Sequence, residues 1–181
     1  MTVREAAARL RAANIPEPLY EARRLFEAFA IIPVAAQIGS DPSSDAPALE
    51  RAVKRREARE PLAYILGEWG FYKESYLLSP DCLIPREDTE LLVETAISER
   101  SSGAVFADLC TGSGCIGLSV LKHTIGTRAL LLDISEGAVQ TARTNAERLG
   151  LSDRAEFLVA DVKSATIGGS FDAILSNPPY I

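Results

Sequence analysis

The feature that most constrains the fold is a glycine-rich turn set between a short apolar run and an apolar helix pattern. Val105-Phe106-Ala107-Asp108-Leu109 runs into Cys110-Thr111-Gly112-Ser113-Gly114-Cys115-Ile116-Gly117, and apolar residues continue to about Ile125. This spacing predicts a short buried strand, a tight turn and a helix. Glycines at such a turn permit positive φ angles and close approach of the backbone to a ligand. The bend also aims the first helical N–H groups at whatever binds. Gly112, Gly114 and Gly117 match G-x-G-x-x-G. Alone, that match is weak and fits an NAD-binding fold equally well.

The pattern repeats after it. A second strand is expected over residues 129–132, ending at Asp133. An acidic residue placed about 20 residues past the glycines can accept both hydrogen bonds of a ribose diol. It can equally cap the helix that begins near Ser135. That helix is expected over residues 136–149, followed by a strand over 155–159 and then Asp161, where a side chain could meet an adenine amino group. Gly168-Gly169-Ser170 turns into a fourth strand over 171–175, and Ser176-Asn177-Pro178-Pro179-Tyr180 stops it. Two consecutive prolines remove two backbone donors and hold the chain extended. The stop is a rigid turn with an amide, free carbonyls and an aromatic ring, parts suited to gripping a flat, nitrogen-bearing group. A plain strand-ending turn with a surface tyrosine is the alternative.

The first third reads as helices. Thr2-Val3-Arg4-Glu5 has capping-box spacing, and Ala6, Leu10 and Ala13 follow at helical intervals until Asn14-Ile15-Pro16. A second helix is expected over 18–30, with Leu19, Ala22, Leu25, Phe26 and Phe29 as its apolar stripe. Pro33 closes it, a short helical turn is expected over 34–38, and Asp45 is placed to cap a helix over 46–59. That helix carries Arg51, Lys54, Arg55, Arg56 and Arg59 against Glu50, Glu57 and Glu60, a pattern of a solvated face or of a docking face for an acidic partner. A short helix ends at Gly67. The aromatics Trp69, Phe71, Tyr72 and Tyr76 then suggest a hairpin turning at Lys73-Glu74. After Pro85, Glu87-Asp88 supply first-turn negative charge for a helix running to about Arg100. Arg86 is either a surface residue or one that reaches a ligand carboxylate.

Composition narrows the class. No stretch reaches about 18 uninterrupted apolar residues, and the N-terminus starts a charged helix rather than a signal peptide, so no membrane role and a cytoplasmic location are expected. Three cysteines without ligand spacing and one histidine, His123, expected to face solvent, give no metal site. The net charge of −6 argues against non-specific nucleic-acid binding.

Asp108 through Gly114, Asp133, Asp161 and Asn177-Pro-Pro-Tyr180 together resemble a class I S-adenosylmethionine-dependent methyltransferase. Arg59-Glu-Pro-Leu-Ala-Tyr-Ile-Leu-Gly67, Leu83-Ile-Pro-Arg-Glu-Asp-Thr-Glu-Leu-Leu-Val-Glu94 and Ser176-Asn-Pro-Pro-Tyr-Ile181 are similar to the release factor glutamine methyltransferase family (HemK/PrmC) over essentially the whole chain. Cys110 stands where that family usually has glycine and Glu87 where proline is usual. The resemblance implies an α/β fold class: a small all-α N-terminal domain for substrate recognition (residues 1–67), a β-hairpin linker (68–85), and the first part of a Rossmann-like methyltransferase domain (86–181). It implies S-adenosyl-L-methionine as cofactor, at Asp108, Cys110, Thr111, Gly112, Ser113, Gly114, Asp133, Asp161, Val162 and Asn177. The substrate amide falls to Asn177, Pro178, Pro179 and Tyr180, with Asn177, Pro178 and Tyr180 at the chemistry. The implied reaction is N5-methylation of the glutamine in the Gly-Gly-Gln motif of peptide-chain release factors. Two other readings stand beside it: an adenine-N6 methyltransferase, which presents a similar flat NH2 group to the same turn, and a non-catalytic dinucleotide-binding module. A class I sheet has seven strands and four are legible here, in the expected order 3-2-1-4 with the fourth as an apolar edge. A truncated chain with weak or absent activity is therefore expected.

Overall fold

The computed structural model describes residues 1–30, 43–99 and 103–179. The helical turn expected over 34–38, and Tyr180 of the proline turn, lie outside the described residues. The chain divides into two compact units, Met1–Leu66 and Gly67–Ile181.

The first unit is helical: α1 (Val3–Ala12), α2 (Pro18–Phe29), α3 (Pro47–Glu57) and α4 (Leu62–Leu66). Thr2 caps α1 through its hydroxyl, which accepts from the Glu5 N–H at 3.1 Å, and Glu5 returns the bond to the Thr2 N–H at 2.7 Å. Ala6, Leu10, Ala22, Leu25, Leu49 and Val53 are completely buried and form the helical core. Two expectations need correction here. Leu19 is 44% exposed and lies off the buried face of α2, so the apolar stripe is narrower than the sequence suggests. Asp45 does not cap α3: Ala46 is the N-cap, with no side-chain bond, and Pro47 at the first turn has no N–H to satisfy.

The charged run of α3 is a largely solvated face, with Arg51, Lys54, Arg55 and Arg59 exposed, and its half-buried members Glu50, Arg56 and Glu57 pair with the neighbouring helices. Arg9 of α1 donates to Glu57 at 2.8 and 2.6 Å and to Glu50 at 2.9 Å. Arg56 pairs with Glu21 of α2, the two side chains only 13% and 12% exposed. Arg59 donates to the Ala13 carbonyl at 3.0 Å, and Arg55 pairs with Glu60. Lys54 remains outside at 68% exposure.

The second unit opens with β1 (Glu68–Phe71) and β2 (Glu74–Leu77), an antiparallel hairpin. Its turn is Tyr72-Lys73, one residue earlier than the sequence suggests, with Tyr72 at φ +57°. The hairpin is not a free-standing linker: Phe71 and Tyr76 are buried in the core of this unit, and the Tyr76 hydroxyl lies 2.6 Å from Ser119 Oγ. A 3-10 turn (Glu87–Thr89) leads into α5 (Glu90–Glu99).

The sheet contains β3 (Val105–Leu109), β4 (Arg128–Asp133), β5 (Ala155–Val159) and β6 (Ala173–Ser176) in the order β5-β4-β3-β6, every pair parallel. This is the order expected for the first four strands of the class. The fourth strand starts later than expected, and just ahead of it Asp172 clasps the start of β3: its N–H donates to the Val105 carbonyl at 2.7 Å and its Oδ2 accepts from the Val105 N–H at 2.8 Å. Between β3 and β4 runs α6 (Cys115–Lys122), and between β4 and β5 runs α7 (Glu136–Leu149). By register, Phe106, Ala129, Ala155 and Ala173 share one face with Leu131, Phe157 and Leu175, and all of them pack into the core with α6. The opposite face carries Ile174 and Leu158, 64% and 38% exposed. Helix α6 ends at Lys122 rather than at Ile125, with His123 as its C-cap, and the imidazole does not simply face solvent. Its Nε2 lies 2.9 Å from Glu74 Oε1, and its ring stands edge-on to Tyr72.

Strand order reverses at β3, whose neighbours β4 and β6 are reached on opposite sides. In open α/β sheets a crevice forms outside the carboxyl ends of the strands at such a switch point. Among the described residues, no helix is long and apolar enough to cross a membrane.

Candidate functional site

The carboxyl end of β3 leads into the glycine loop, whose backbone is shaped by three left-handed residues: Cys110 at φ +59°, Gly112 at +57° and Gly114 at +81°. A left-handed φ brings Cβ against the following carbonyl oxygen, so glycine takes it freely and Cys110 at a cost. Gly117 has a different task. A Cβ there would lie 2.8 Å from Asp108 Oδ2, and its absence lets α6 settle onto β3.

Asp108 lies wholly beneath the loop. Its Oδ2 accepts from the Thr111 hydroxyl at 2.6 Å and from the Gly117 N–H at 3.0 Å. Burial pushes its carboxyl up to about 6, against the two hydrogen bonds, while Oδ1 is buried without a protein partner. Asp108 thus braces the loop from below and does not line a cleft. Asp133 braces it from the side: Oδ2 accepts from the Gly112 N–H at 2.9 Å and Oδ1 from the Ser135 N–H at 3.0 Å. A carboxylate has about four lone-pair sites, so two remain. Burial, followed by the charge of Asp133, pushes the Cys110 thiol up, with smaller contributions from Asp108 and Asp161. Three carboxylates therefore act on one sulfur.

A shallow cleft, open to solvent, lies over the loop. Cys110, Thr111, Gly112 and Ser113 form one wall, and Phe71, residues 83–86, Thr89 and Asn177 contribute the rest. A larger crevice of ≈ 280 Å³ lies at the opposite, amino ends of the strands, beside Arg128, Arg154 and Phe171. It contains none of the residues nominated from the sequence, and the switch-point argument places the chemistry at the other end.

Of the nominated residues, then, Cys110 through Ser113 and Asn177 meet in one cleft. Gly114 opens α6. Asp161 is engaged in its own turn, where Oδ1 accepts from the Lys163 N–H at 2.9 Å, and Val162 is 38% exposed. Neither lines the cleft. Pro178 and Pro179 are exposed. Arg86 lines the cleft and is ion-paired to Asp88 at 3.5 Å, its side chain 62% exposed.

Two residues escape a reading of the sequence. Thr89 Oγ1 accepts a hydrogen bond from Asn177 Nδ2 at 3.2 Å. Asn145, 1% exposed, ties the hairpin to the loop. Its Oδ1 accepts from the Leu77 N–H at 2.8 Å, and its Nδ2 donates to the Leu77 carbonyl at 3.0 Å and to the Ser113 carbonyl at 2.9 Å. The sequence carries a signal for Asn145: an amide three residues after Ala142, and just before Ala146, on the buried side of α7. For Thr89, a hydroxyl ahead of a helix, it carries none.

Residues 87–181 match the family model described as methyltransferase small domain, and residues 2–67 match the PrmC N-terminal domain. The chain is 44% identical over 179 residues to a protein of Rhodospirillum rubrum named release factor glutamine methyltransferase, covering 96% of this chain and 54% of that protein. It is 37% identical over 185 residues to one of the same name from Nitratidesulfovibrio vulgaris, covering 99% and 63%. The chain thus spans between about half and two-thirds of the length of these relatives. Among solved structures, it superimposes on the Pyrococcus abyssi tRNA (uracil-54, C5)-methyltransferase in complex with S-adenosyl-L-homocysteine. The TM-score is 0.50 at 24% identity, covering 62% of this chain and 28% of that one, which is a likeness of fold.

Proposed function

The chain belongs to the methyltransferase small domain family, and on that premise we propose that it takes part in S-adenosylmethionine-dependent methylation of the glutamine side-chain amide in the Gly-Gly-Gln motif of peptide-chain release factors. The observation that carries this reading is the presence of Asn177 and the glycine loop in one cleft at the sheet's switch point. The names of the relatives supply the substrate.

The residues present fit the cofactor. Nothing stands within 4 Å of the Cβ position of Gly112, so the loop backbone is open to close approach there. Asp133 keeps lone pairs for a diol after bracing Gly112 and Ser135. When bound, S-adenosylmethionine supplies an electrophilic methyl group and its own driving force.

The chain's task is then to hold an amide. A carboxamide nitrogen is a poor nucleophile because its lone pair is delocalised into the carbonyl. In this reading Asn177 Oδ1 and the Pro178 carbonyl accept the two hydrogens of the substrate NH2, which fixes its plane. The same acceptors favour the positive charge that builds on nitrogen during transfer. The remaining contribution is orientation. Tyr180 is assigned to packing against the amide plane. The helical unit, matched to the PrmC N-terminal domain, is assigned to recognition of the release factor.

The test incubates the chain with S-adenosylmethionine and a release factor. Mass spectrometry then looks for one added methylene on the Gly-Gly-Gln glutamine. Asn177→Ala is expected to abolish turnover and leave cofactor affinity within a few-fold, whereas Asp133→Ala weakens cofactor binding in calorimetry. Unchanged turnover in Asn177→Ala removes the assignment. Methylation of an adenine-containing oligonucleotide in place of the release factor moves the reading to nucleic acid.

A further inference from the structure

The geometry points to Thr89 as a positioning residue that fixes which end of the Asn177 amide faces the cleft, and so selects a substrate that donates hydrogens there. The inference deepens the amide-methylation reading and, in its substrate arm, rests on it.

An asparagine amide has an acceptor end and a donor end of nearly the same size, and packing alone hardly distinguishes them. Here the neighbouring group does. Asn177 Nδ2 lies 3.2 Å from Thr89 Oγ1, across 88 residues of sequence. A hydroxyl carries one proton and two lone pairs. The Thr89 proton goes to Asp88 Oδ1 at 3.1 Å, a bond strengthened by the carboxylate charge. Toward Asn177 the hydroxyl therefore presents lone pairs only. A flipped amide would set Oδ1 against them, acceptor against acceptor. The NH2 end is drawn to Thr89, and Oδ1 is turned the other way.

The rest of the 3-10 turn holds this arrangement. The Thr89 N–H donates to the Arg86 carbonyl at 3.1 Å, which closes the turn over Glu87–Thr89. The Arg86 guanidinium lies 3.5 Å from Asp88 Oδ2, leaving Oδ1 for Thr89. Arg86 and Asp88 are 62% and 63% exposed, so their ion pair is weak and the hydroxyl is the decisive member. Arg86, Thr89 and Asn177 all line the cleft.

The consequence is a specificity rule. An outward Oδ1 accepts from a primary amide, as in glutamine, and repels a carboxylate, as in glutamate. An outward NH2 would do the reverse. Without Thr89 the turn would present either end, and discrimination between amide and acid would fall.

Nuclear magnetic resonance of the 181-residue chain, labelled with nitrogen-15, tests this without requiring turnover. The wild-type chain and Thr89→Ser are expected to show Overhauser contacts from the Asn177 side-chain NH2 to residue 89, and slow exchange of those protons with water. In Thr89→Val the contact disappears and exchange speeds up by roughly five- to tenfold, with backbone signals elsewhere unchanged as evidence of folding. Asp88→Ala, which frees the hydroxyl proton, is expected to give a smaller shift in the same direction. Unchanged Asn177 signals in Thr89→Val, or an equal loss in Thr89→Ser and Thr89→Val, overturn the inference. In the substrate arm, a capped Gly-Gly-Gln peptide shifts the Asn177 signals of wild type more than Gly-Gly-Glu does, and Thr89→Val reduces that preference. If neither peptide moves the wild-type signals, the amide-binding reading fails while the NH2 contact still decides the role of Thr89.

Discussion

The two units handle polar groups in opposite ways. In the helical unit, charged side chains pair with one another across helices: Arg9 with Glu50 and Glu57, Arg56 with Glu21. Their capacity is consumed within the unit, and the result is a fastening. In the α/β unit the polar groups hold backbone instead. Asp108, Asp133 and Asn145 each bind N–H or C=O groups of the glycine loop or its neighbours, and they converge at one end of the sheet. Side chains that grip backbone can shape a loop and still leave its outer surface for a ligand. A paired guanidinium and carboxylate leave little.

The most severe way to break this contrast is Asn145→Ala. It strips partners from the Leu77 N–H, the Leu77 carbonyl and the Ser113 carbonyl at once. Leaving buried polar groups unpaired costs about 1–3 kcal/mol each, and part of that is recovered where water can enter. A loss of roughly 3 kcal/mol is expected in urea denaturation followed through Trp69, the single tryptophan, which sits in β1 of this unit. A loss below about 1 kcal/mol would mean that the hairpin and the loop hold their positions without the amide, and the backbone-gripping account of this unit would fail.

A second test uses pH, because the two units should respond to acid with opposite sign. The Arg9 hydrogen bonds hold the Glu50 and Glu57 carboxyls below the ordinary range. Depressed carboxyls stabilise the folded state above their unfolded value, and that contribution is lost as pH falls through the folded values. Asp108 is raised by burial to about 6 from an ordinary 3.8. In that window the folded state binds more protons than the unfolded one, so its stability falls as pH rises from about 4 to about 6 and is flat beyond. Acidification from neutral pH should first favour the α/β unit, by up to roughly 3 kcal/mol, and later weaken the helical one. Hydrogen exchange, corrected for intrinsic rates and read separately for the two units, measures both. Asp108→Asn should remove the α/β trend alone; if the trend persists, another group is its source.

Legibility in the sequence divides along similar lines. The strands, the glycine turn and the helices of the second unit follow from local periodicity and from the glycines between them, so they can be read directly, while the strand order comes from the family resemblance and is matched by the sheet. The capping box at Thr2 is likewise local. Contacts between side chains far apart in sequence are not legible. Arg56 looks like any surface arginine until Glu21 is placed beside it, 35 residues away. Thr89 gains its role only from Asn177, 88 residues away. Asp108, nominated by the family resemblance, shows its bracing role only once register sets it under the loop, against Gly117. Helical phase alone sends His123 outward, because it cannot see the hairpin that returns with Glu74.

The mildest test concerns Cys110, where sequence and structure meet at one dihedral angle. The resemblance marks this position as one usually held by glycine, and the structure supplies the reason in a φ of +59°. For a non-glycine residue a left-handed backbone costs roughly 1–2 kcal/mol. Glycine avoids that strain but loses more conformational entropy on folding, by about 0.5–1 kcal/mol. The net gain expected for Cys110→Gly is therefore up to about 1 kcal/mol, measured as a rise in the urea midpoint at unchanged slope. The thiol also sits among the fields of Asp133, Asp108 and Asp161 and lines the cleft wall. If the substitution stabilises the unit while leaving cofactor affinity unchanged, the loop's shape belongs to its backbone and bracing carboxylates. If affinity falls as stability rises, the sulfur itself is part of the binding surface, and the division between bracing groups and ligand-facing groups has to be redrawn at this residue.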